Sequence, residues 1–436
     1  KQTVIGFLKR MSAPLRRADA KTAKHLLTSP ETRRAMVLFA SQILGILFAF
    51  LTQKLNTNYL SKEEFGAVTW CTQLFIMLHP LFEFGYFLSG TRALTRAHEK
   101  EKVRQWYGVL ILVMGVMGLL MSVSLLAVTV LFPSLFNDEL TRNAMLVASS
   151  LSWAYVLQFF LQSVVQGAGD VNHLSMFTVM SRFLTMASLG LWIYLGRLSV
   201  EASLLLSMGA MACSGVFVLW RLSPRFTQWR DLLPELRSEN KEYGWHIYIG
   251  KLVSVPTFQL APIMIPYFST LTSSAIYGVG SNLVTPMVQA TQSISMTMFK
   301  NFSQQKKLKD RLILINVMVL MIIGGSIYVF APFLITLSAN ETYQQAVPYM
   351  LPLVLGGFFQ GLWQPFHQFA LARGKGEWMK HQLIMGSVTD LALALVLVPL
   401  YGLEGACWQF CLGRVIRFFL TLHNYYRTVK HIESVS

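Results

Sequence analysis

Runs of mostly apolar residues, each near the roughly 20 that a helix needs to cross a bilayer, recur along the chain with short polar gaps between them. The pattern predicts twelve membrane-spanning helices, over residues 35–53, 66–89, 107–132, 145–166, 174–195, 202–220, 245–267, 275–298, 313–334, 346–371, 382–399 and 405–423. Polar residues inside the runs recur at helical spacing. In the fifth, Ser175, Thr178, Arg182 and Thr185 lie three or four apart, so that face is expected to turn from lipid toward protein or water. An all-α polytopic membrane protein follows.

Charge orients it. Of the 37 lysines and arginines, 29 fall before the first run, after the last, or in alternate gaps, while the other gaps hold only Lys54, Lys62, Arg142 and Arg197. The positive-inside bias then places both termini in the cytoplasm. The net charge of +16 is accounted for by loops that face anionic headgroups, so membrane lipids, and not nucleic acid, are its expected partners. Residues 1–33 mix basic residues with Ile5, Phe7, Leu8 and Leu15, as a basic amphipathic segment on the cytoplasmic surface would. Cys71, Cys213, Cys407 and Cys411 all fall inside runs with no Cys-x-x-Cys spacing, which predicts core packing and neither a disulfide framework nor a metal site.

The long inner gap, 221–244, divides the runs six and six, and the halves carry matching signals. The fourth run has Gln158, Gln162 and Gln166 before Gly167, Gly169 and Asp170; the tenth has Gln360, Gln364 and Gln368 before Gly374, Gly376 and Glu377. Phe65-Gly66-Ala67 corresponds to Tyr277-Gly278-Val279, and Tyr194-Leu195-Gly196 to Leu400-Tyr401-Gly402. An even number of spans per half makes the repeats parallel, an arrangement of transporters with a site between the halves. The expected organisation is an N-terminal segment (1–33), a first lobe (34–220), a cytoplasmic linker (221–244), a second lobe (245–423) and a cytoplasmic tail (424–436).

Leu60-Ser61-Lys62-Glu63-Glu64-Phe65-Gly66 resembles the Leu-x-x-x-Glu-Phe-Gly turn that follows the first span of O-antigen and capsule flippases. Gly85, Gly90 and Arg92 resemble the glycine-rich end of their second span, and Gln166-Gly167-Ala168-Gly169 the end of their fourth. Over roughly residues 34–427 the chain thus resembles the lipid-linked-oligosaccharide (Wzx-type) flippases of the MOP superfamily, which also contains MATE multidrug antiporters and lipid II flippases. The resemblance implies twelve helices in two pseudo-symmetric six-helix lobes around a central cavity that opens alternately to either side. It also implies a bacterial cytoplasmic membrane, an undecaprenyl-pyrophosphate-linked oligosaccharide as substrate, and a glycan polymerase and export machinery as partners.

A pyrophosphate headgroup that leaves water needs cations, and charge within a span normally faces protein or water. Four cations lie within runs: Arg182, Lys251, Arg414 and Arg417. Lys251 precedes Pro256, Pro262 and Pro266 and shares a face with Ser254 and Gln259; interrupted helices mark transporter sites, and snorkelling to the inner headgroups is its alternative. For Arg182 the alternative is an ion pair with Glu83 or Asp170, and for Arg414 and Arg417 a cytoplasmic-end cluster on lipid phosphate. Gln364 and Gln368, with Trp363 and His367, offer the amide and aromatic contacts that sugars need, or hydrogen bonds between helices. Two acids lie deep in runs, Glu83 and Asp390, where each could bind Na⁺ or H⁺. Asp390 resembles the acid of span 11 that helps bind Na⁺ in lipid II flippases, although Gly386 stands where an amide would be expected. No other cofactor is expected. His79-Pro80 predicts a kink in span 2.

A flippase is therefore the leading reading. A drug antiporter on the same fold is the alternative, set against the excess of intramembrane cations over acids. An enzyme finds no support in a clustered acid pair, metal-ligand spacing or phosphate loop.

Overall fold

The computed structural model describes residues 30–435 except 98, 137, 166–169, 197, 299–301, 303, 304, 306 and 373–375. Residues 1–29 of the expected amphipathic segment, the Gln166-Gly167-Ala168-Gly169 turn and Gly374 lie outside the described residues. The fold is helical. A first helix, α1 (Pro30–Tyr59), turns sharply into α2 (Lys62–Leu78). The turn is a capping box: Ser61 Oγ accepts from the Glu64 amide at 3.2 Å, and Glu64 Oε2 accepts from the Ser61 amide at 2.7 Å. This is the physical content of the Ser61 to Gly66 motif, which seats Phe65 edge-on to Tyr343 with centroids 6.0 Å apart.

At His79-Pro80, where proline has no N–H for a continuing helix, α2 tightens into the 3-10 turn His79–Phe82, and α3 (Tyr86–Arg96) follows. Next come α4 (Lys100–Leu131), α5 (Glu139–Ser149), α6 (Trp153–Phe160), α7 (Val171–Tyr194) and α8 (Val200–Arg221). The segment expected as a linker is partly helical: α9 (Trp229–Glu239) buries Leu232 and Leu236 and packs on α3 and α4. The chain continues through α10 (Trp245–Phe268), α11 (Leu271–Thr297), α12 (Asp310–Val329), α13 (Ala331–Ser338), α14 (Met350–Ala372) and α15 (Gly376–Val435). By length and composition, eight helical stretches among the described residues can cross a membrane, and nine if the pair bent by 59° between α5 and α6 is one span. The three expected spans beyond nine lie in α1, in α11 and in α15, which is counted once and carries the two expected at 382–399 and 405–423 across a break at Gly402. Outward faces are apolar, with Val116, Leu119, Ile322 and Leu400 exposed as lipid contact requires.

In the N-terminal half α7 packs on α1 and α8, and α6 on α4 and α8; in the C-terminal half α15 packs on α10 and α14, and α14 on α11 and α12. The halves meet where α2 packs on α10 and α11, and α1 on α11. Both glycines of the Phe65-Gly66-Ala67 and Tyr277-Gly278-Val279 correspondence lie on this seam. A β-carbon on Gly66 would stand 2.0 Å from the Leu271 carbonyl oxygen, and one on Gly278 would stand 2.7 Å from Thr69 Cγ2. The other matched pair, Gly196 and Gly402, has φ of 66° and 53°, the left-handed region in which glycine ends a helix without a steric cost. Gly66→Ala should force α2 off α11 and destabilise the protein by about 1–3 kcal/mol. Thermal unfolding of the detergent-solubilised variant checks this, and an unchanged Tm would show that the contact yields freely.

Hydrogen bonds without a carboxylate among them fasten one end of the seam. Trp70 Nε1 donates to the Ile263 carbonyl at 3.0 Å, Asn282 Nδ2 to Gln53 Oε1 at 2.8 Å, and Asn340 Nδ2 to the Thr57 carbonyl at 2.7 Å. Gln53 Nε2 reaches Ser338 Oγ at 3.3 Å, and Lys54 Nζ the Leu337 carbonyl at 3.0 Å. By charge bias this is the end expected outside.

Candidate functional site

Below that closure lies a cavity of about 380 Å³ between α1, α2, α6, α7 and α8 of one half and α11 of the other. Helical periodicity builds its walls. Gln42, Ala49, Gln53 and Asn56 descend one face of α1, and Gly278, Asn282, Thr285 and Gln289 one face of α11. From α2 come Thr69, Thr72 and Gln73, from α6 Gln158, and from α7 the stripe Thr178, Ser181, Arg182 and Thr185. Among the described lining residues, Arg182 is the single charged side chain and no carboxylate is present. Arg182 is exposed, and the surface it exposes is that of the cavity; no ion pair or hydrogen bond of its guanidinium is found among the described residues. The Oε1 atom of Gln289 is buried on the same wall without a hydrogen-bond partner among the described residues. The cavity therefore offers one cation amid amides and hydroxyls, all of which can exchange hydrogen bonds with a polyol.

The other residues singled out from sequence go elsewhere. Lys251 and Glu83 form an ion pair across the seam: Lys251 Nζ donates to Oε1 and Oε2 of Glu83 at 3.0 and 2.9 Å. Glu83 is only 1% exposed, and Nζ also stands 5.1 Å from the Phe159 ring centroid. The expected partnership of Arg182 with Glu83 or Asp170 is thus corrected, because both acids are engaged. Asp170 Oδ2 meets His173 Nδ1 at 2.6 Å and its carboxylate caps α7.

Arg414 and Arg417 do not reach lipid phosphate as a surface cluster would. Both are buried on α15 beside Asp390, with Arg417 Nη2 at 2.5 Å from Oδ2 and Arg414 Nη1 at 3.6 Å from Oδ1. Gly386 is explained by the same contact: its missing side chain leaves the room that the Arg417 guanidinium occupies, since a β-carbon there would lie 2.9 Å from Cζ. A Na⁺ ion at Asp390 would meet the repulsion of two guanidiniums beside the same carboxylate. Gln364 and Gln368 are buried in α14, Gln259 is half-buried on α10, and none of the three lines the cavity. Sequence reasoning singled out Arg182 but not the walls on α1 and α11, whose signal was the spacing of Gln42, Gln53 and Asn56 and of Asn282, Thr285 and Gln289.

The family model described as polysaccharide biosynthesis protein matches residues 32–304. No curated protein matches the chain. Among solved structures, the chain is similar to an inward-facing multidrug resistance MATE family transporter of the MOP superfamily, with TM-score 0.73 and 16% identity over 92% of this chain and 99% of that one. The outward-facing conformation of a multidrug resistance MATE family transporter gives 0.63 and 16%, over 94% and 98%. A MOP superfamily transporter from Pyrococcus furiosus Vc1, for which a reverse polarity of binding pocket suggests a different function, gives 0.62 and 18%, over 91% and 94%. At such identities the likeness is one of fold. Matched by the family model over residues 32–304 of its 436, this multi-pass membrane chain belongs to the polysaccharide biosynthesis protein family and has the fold of MOP superfamily transporters.

Proposed function

We propose that the protein is a flippase that carries an undecaprenyl-pyrophosphate-linked oligosaccharide across the bacterial cytoplasmic membrane by alternating access, for O-antigen, capsule or exopolysaccharide synthesis. The observation that carries this reading is the cavity's chemistry: one guanidinium, many neutral hydrogen-bonding groups and no acid among its described lining residues. Sugar hydroxyls can replace water on the amides and hydroxyls, and a phosphoryl group or an acidic sugar can pair with Arg182. The lipid tail stays in the bilayer. The fastened outer end and the higher similarity to an inward-facing relative support a state open toward the cytoplasm, where the lipid-linked unit would be loaded.

The alternative is a cation-coupled antiporter for drugs or metabolites, favoured by the multidrug transporters that share the fold. An organic cation in this cavity would meet Arg182 and no countercharge, which argues against it. The test is leaflet accessibility of a lectin-tagged undecaprenyl-pyrophosphate oligosaccharide in proteoliposomes. Protein-dependent transfer of the intact lipid is expected; absence of transfer with folded protein would bring the antiporter forward. Repeating the assay under Na⁺ and H⁺ gradients addresses coupling.

A further inference from the structure

The cluster on α15 has a charge of its own to explain. Asp390, Arg414 and Arg417 are 0%, 3% and 5% exposed and together carry two positive charges and one negative. The carboxylate satisfies Arg417 through Oδ2, but the 3.6 Å from Oδ1 to Arg414 is too long for a hydrogen bond. Nε and Nη1 of Arg414, Nε of Arg417 and Oδ1 of Asp390 are buried without a hydrogen-bond partner among the described residues. Aromatic rings flank the pair: Phe258 of α10 and Phe410 of α15 lie 3.7 and 4.4 Å from the Arg414 guanidinium, and Phe258 lies 5.5 Å from that of Arg417. A ring face steadies a cation but gives its in-plane N–H groups no acceptor. Two planar forks with free donors and a net positive charge out of water match the parallel hydrogen bonding of an oxyanion, phosphate above all.

We propose that Asp390, Arg414 and Arg417 form a second anion site, in the C-terminal half and apart from the Arg182 cavity, which takes a phosphate or diphosphate group. Asp390 is its built-in counter-ion: it steadies the two guanidiniums and competes with the incoming phosphoryl oxygens. Phe258 covers the site from a helix whose Pro256, Pro262 and Pro266 each remove a backbone hydrogen bond. Only the source of the phosphate, a lipid headgroup or free phosphate, depends on the flippase reading; the binding chemistry does not.

The test is calorimetric titration of the purified protein in nanodiscs with inorganic diphosphate. Saturable binding is expected in the wild type. Arg414→Gln and Arg417→Gln should each weaken it about tenfold or more, and Asp390→Asn should tighten it about tenfold by removing the competing charge. If Asp390→Asn does not fold, Arg414→Lys, which keeps the charge and loses the fork, should weaken binding in its place. Competition by a polyprenyl diphosphate supports the site with the lipid headgroup as its source, and absence of competition supports it with free phosphate. No saturable binding, or binding untouched in both arginine variants, overturns the proposal. Because binding is read without transport, either result leaves the flippase reading to its own assay.

Discussion

Arg182→Gln is expected to lower transfer of lipid-linked oligosaccharide, the substrate proposed above, by about a hundredfold or more while leaving the amount of folded protein unchanged. Losing one partner of an enclosed, hydrogen-bonded charge pair removes 2 to 5 kcal/mol or more, and each 1.4 kcal/mol is tenfold. Arg182 is the sole cation among the described lining residues, so no neighbour there can take over its task. Folding is spared for the same reason: no described acid pairs with Arg182, and its removal strands no buried charge. Arg182→Lys keeps the charge without the bidentate fork and should recover part of the rate. Leaflet-accessibility rates and thermal unfolding, measured on one preparation, check both halves of the expectation. Wild-type transfer at full abundance would remove Arg182 from the substrate path.

Lys251→Met should have the opposite signature: a loss of folded protein, by about 3–5 kcal/mol of stability, because Glu83 would be left charged and buried without its partner. From sequence alone, an alanine at Lys251 is expected to stop export without reducing abundance, and the ion pair with Glu83 reverses that expectation. Glu83→Gln should be milder, since the Lys251 side chain is 26% exposed and can turn to water. The double variant Glu83→Gln, Lys251→Met should regain most of the stability, as replacing both partners of a buried pair usually does. Abundance in membranes and Tm in detergent measure this. A double variant no more stable than Lys251→Met would mean that Lys251 serves stability through another contact.

The helices were legible in the sequence because a bilayer imposes length and apolarity on every span. The matched glycines were legible because each meets a local need that only a missing side chain satisfies: close approach at Gly66 and Gly278, and positive φ at Gly196 and Gly402. The partner of a buried charge was not. Glu83 and Lys251 are 168 residues apart, and only the packing of α2 on α10 brings them together, so both read as free groups along the chain. The same held for Asp390, whose spacing from Arg417 gives no hint that the helix doubles back at Gly402. Arg182 was legible because its polar neighbours lie on its own helix, at a period that the chain itself displays.

The paired glycines at the seam carry a mechanical consequence. Contact there depends on surfaces touching without intervening side chains, and dispersion attraction loses a quarter to a half of its strength over a gap of 0.5–1 Å. A slight parting of α2 from α11 would therefore forfeit much of the attraction at once, while the short hydrogen bonds of the fastened end would stretch past their useful range together. In the flippase proposed above, such a joint would have no stable half-open position and would pass between shut and released without opening a continuous channel for ions.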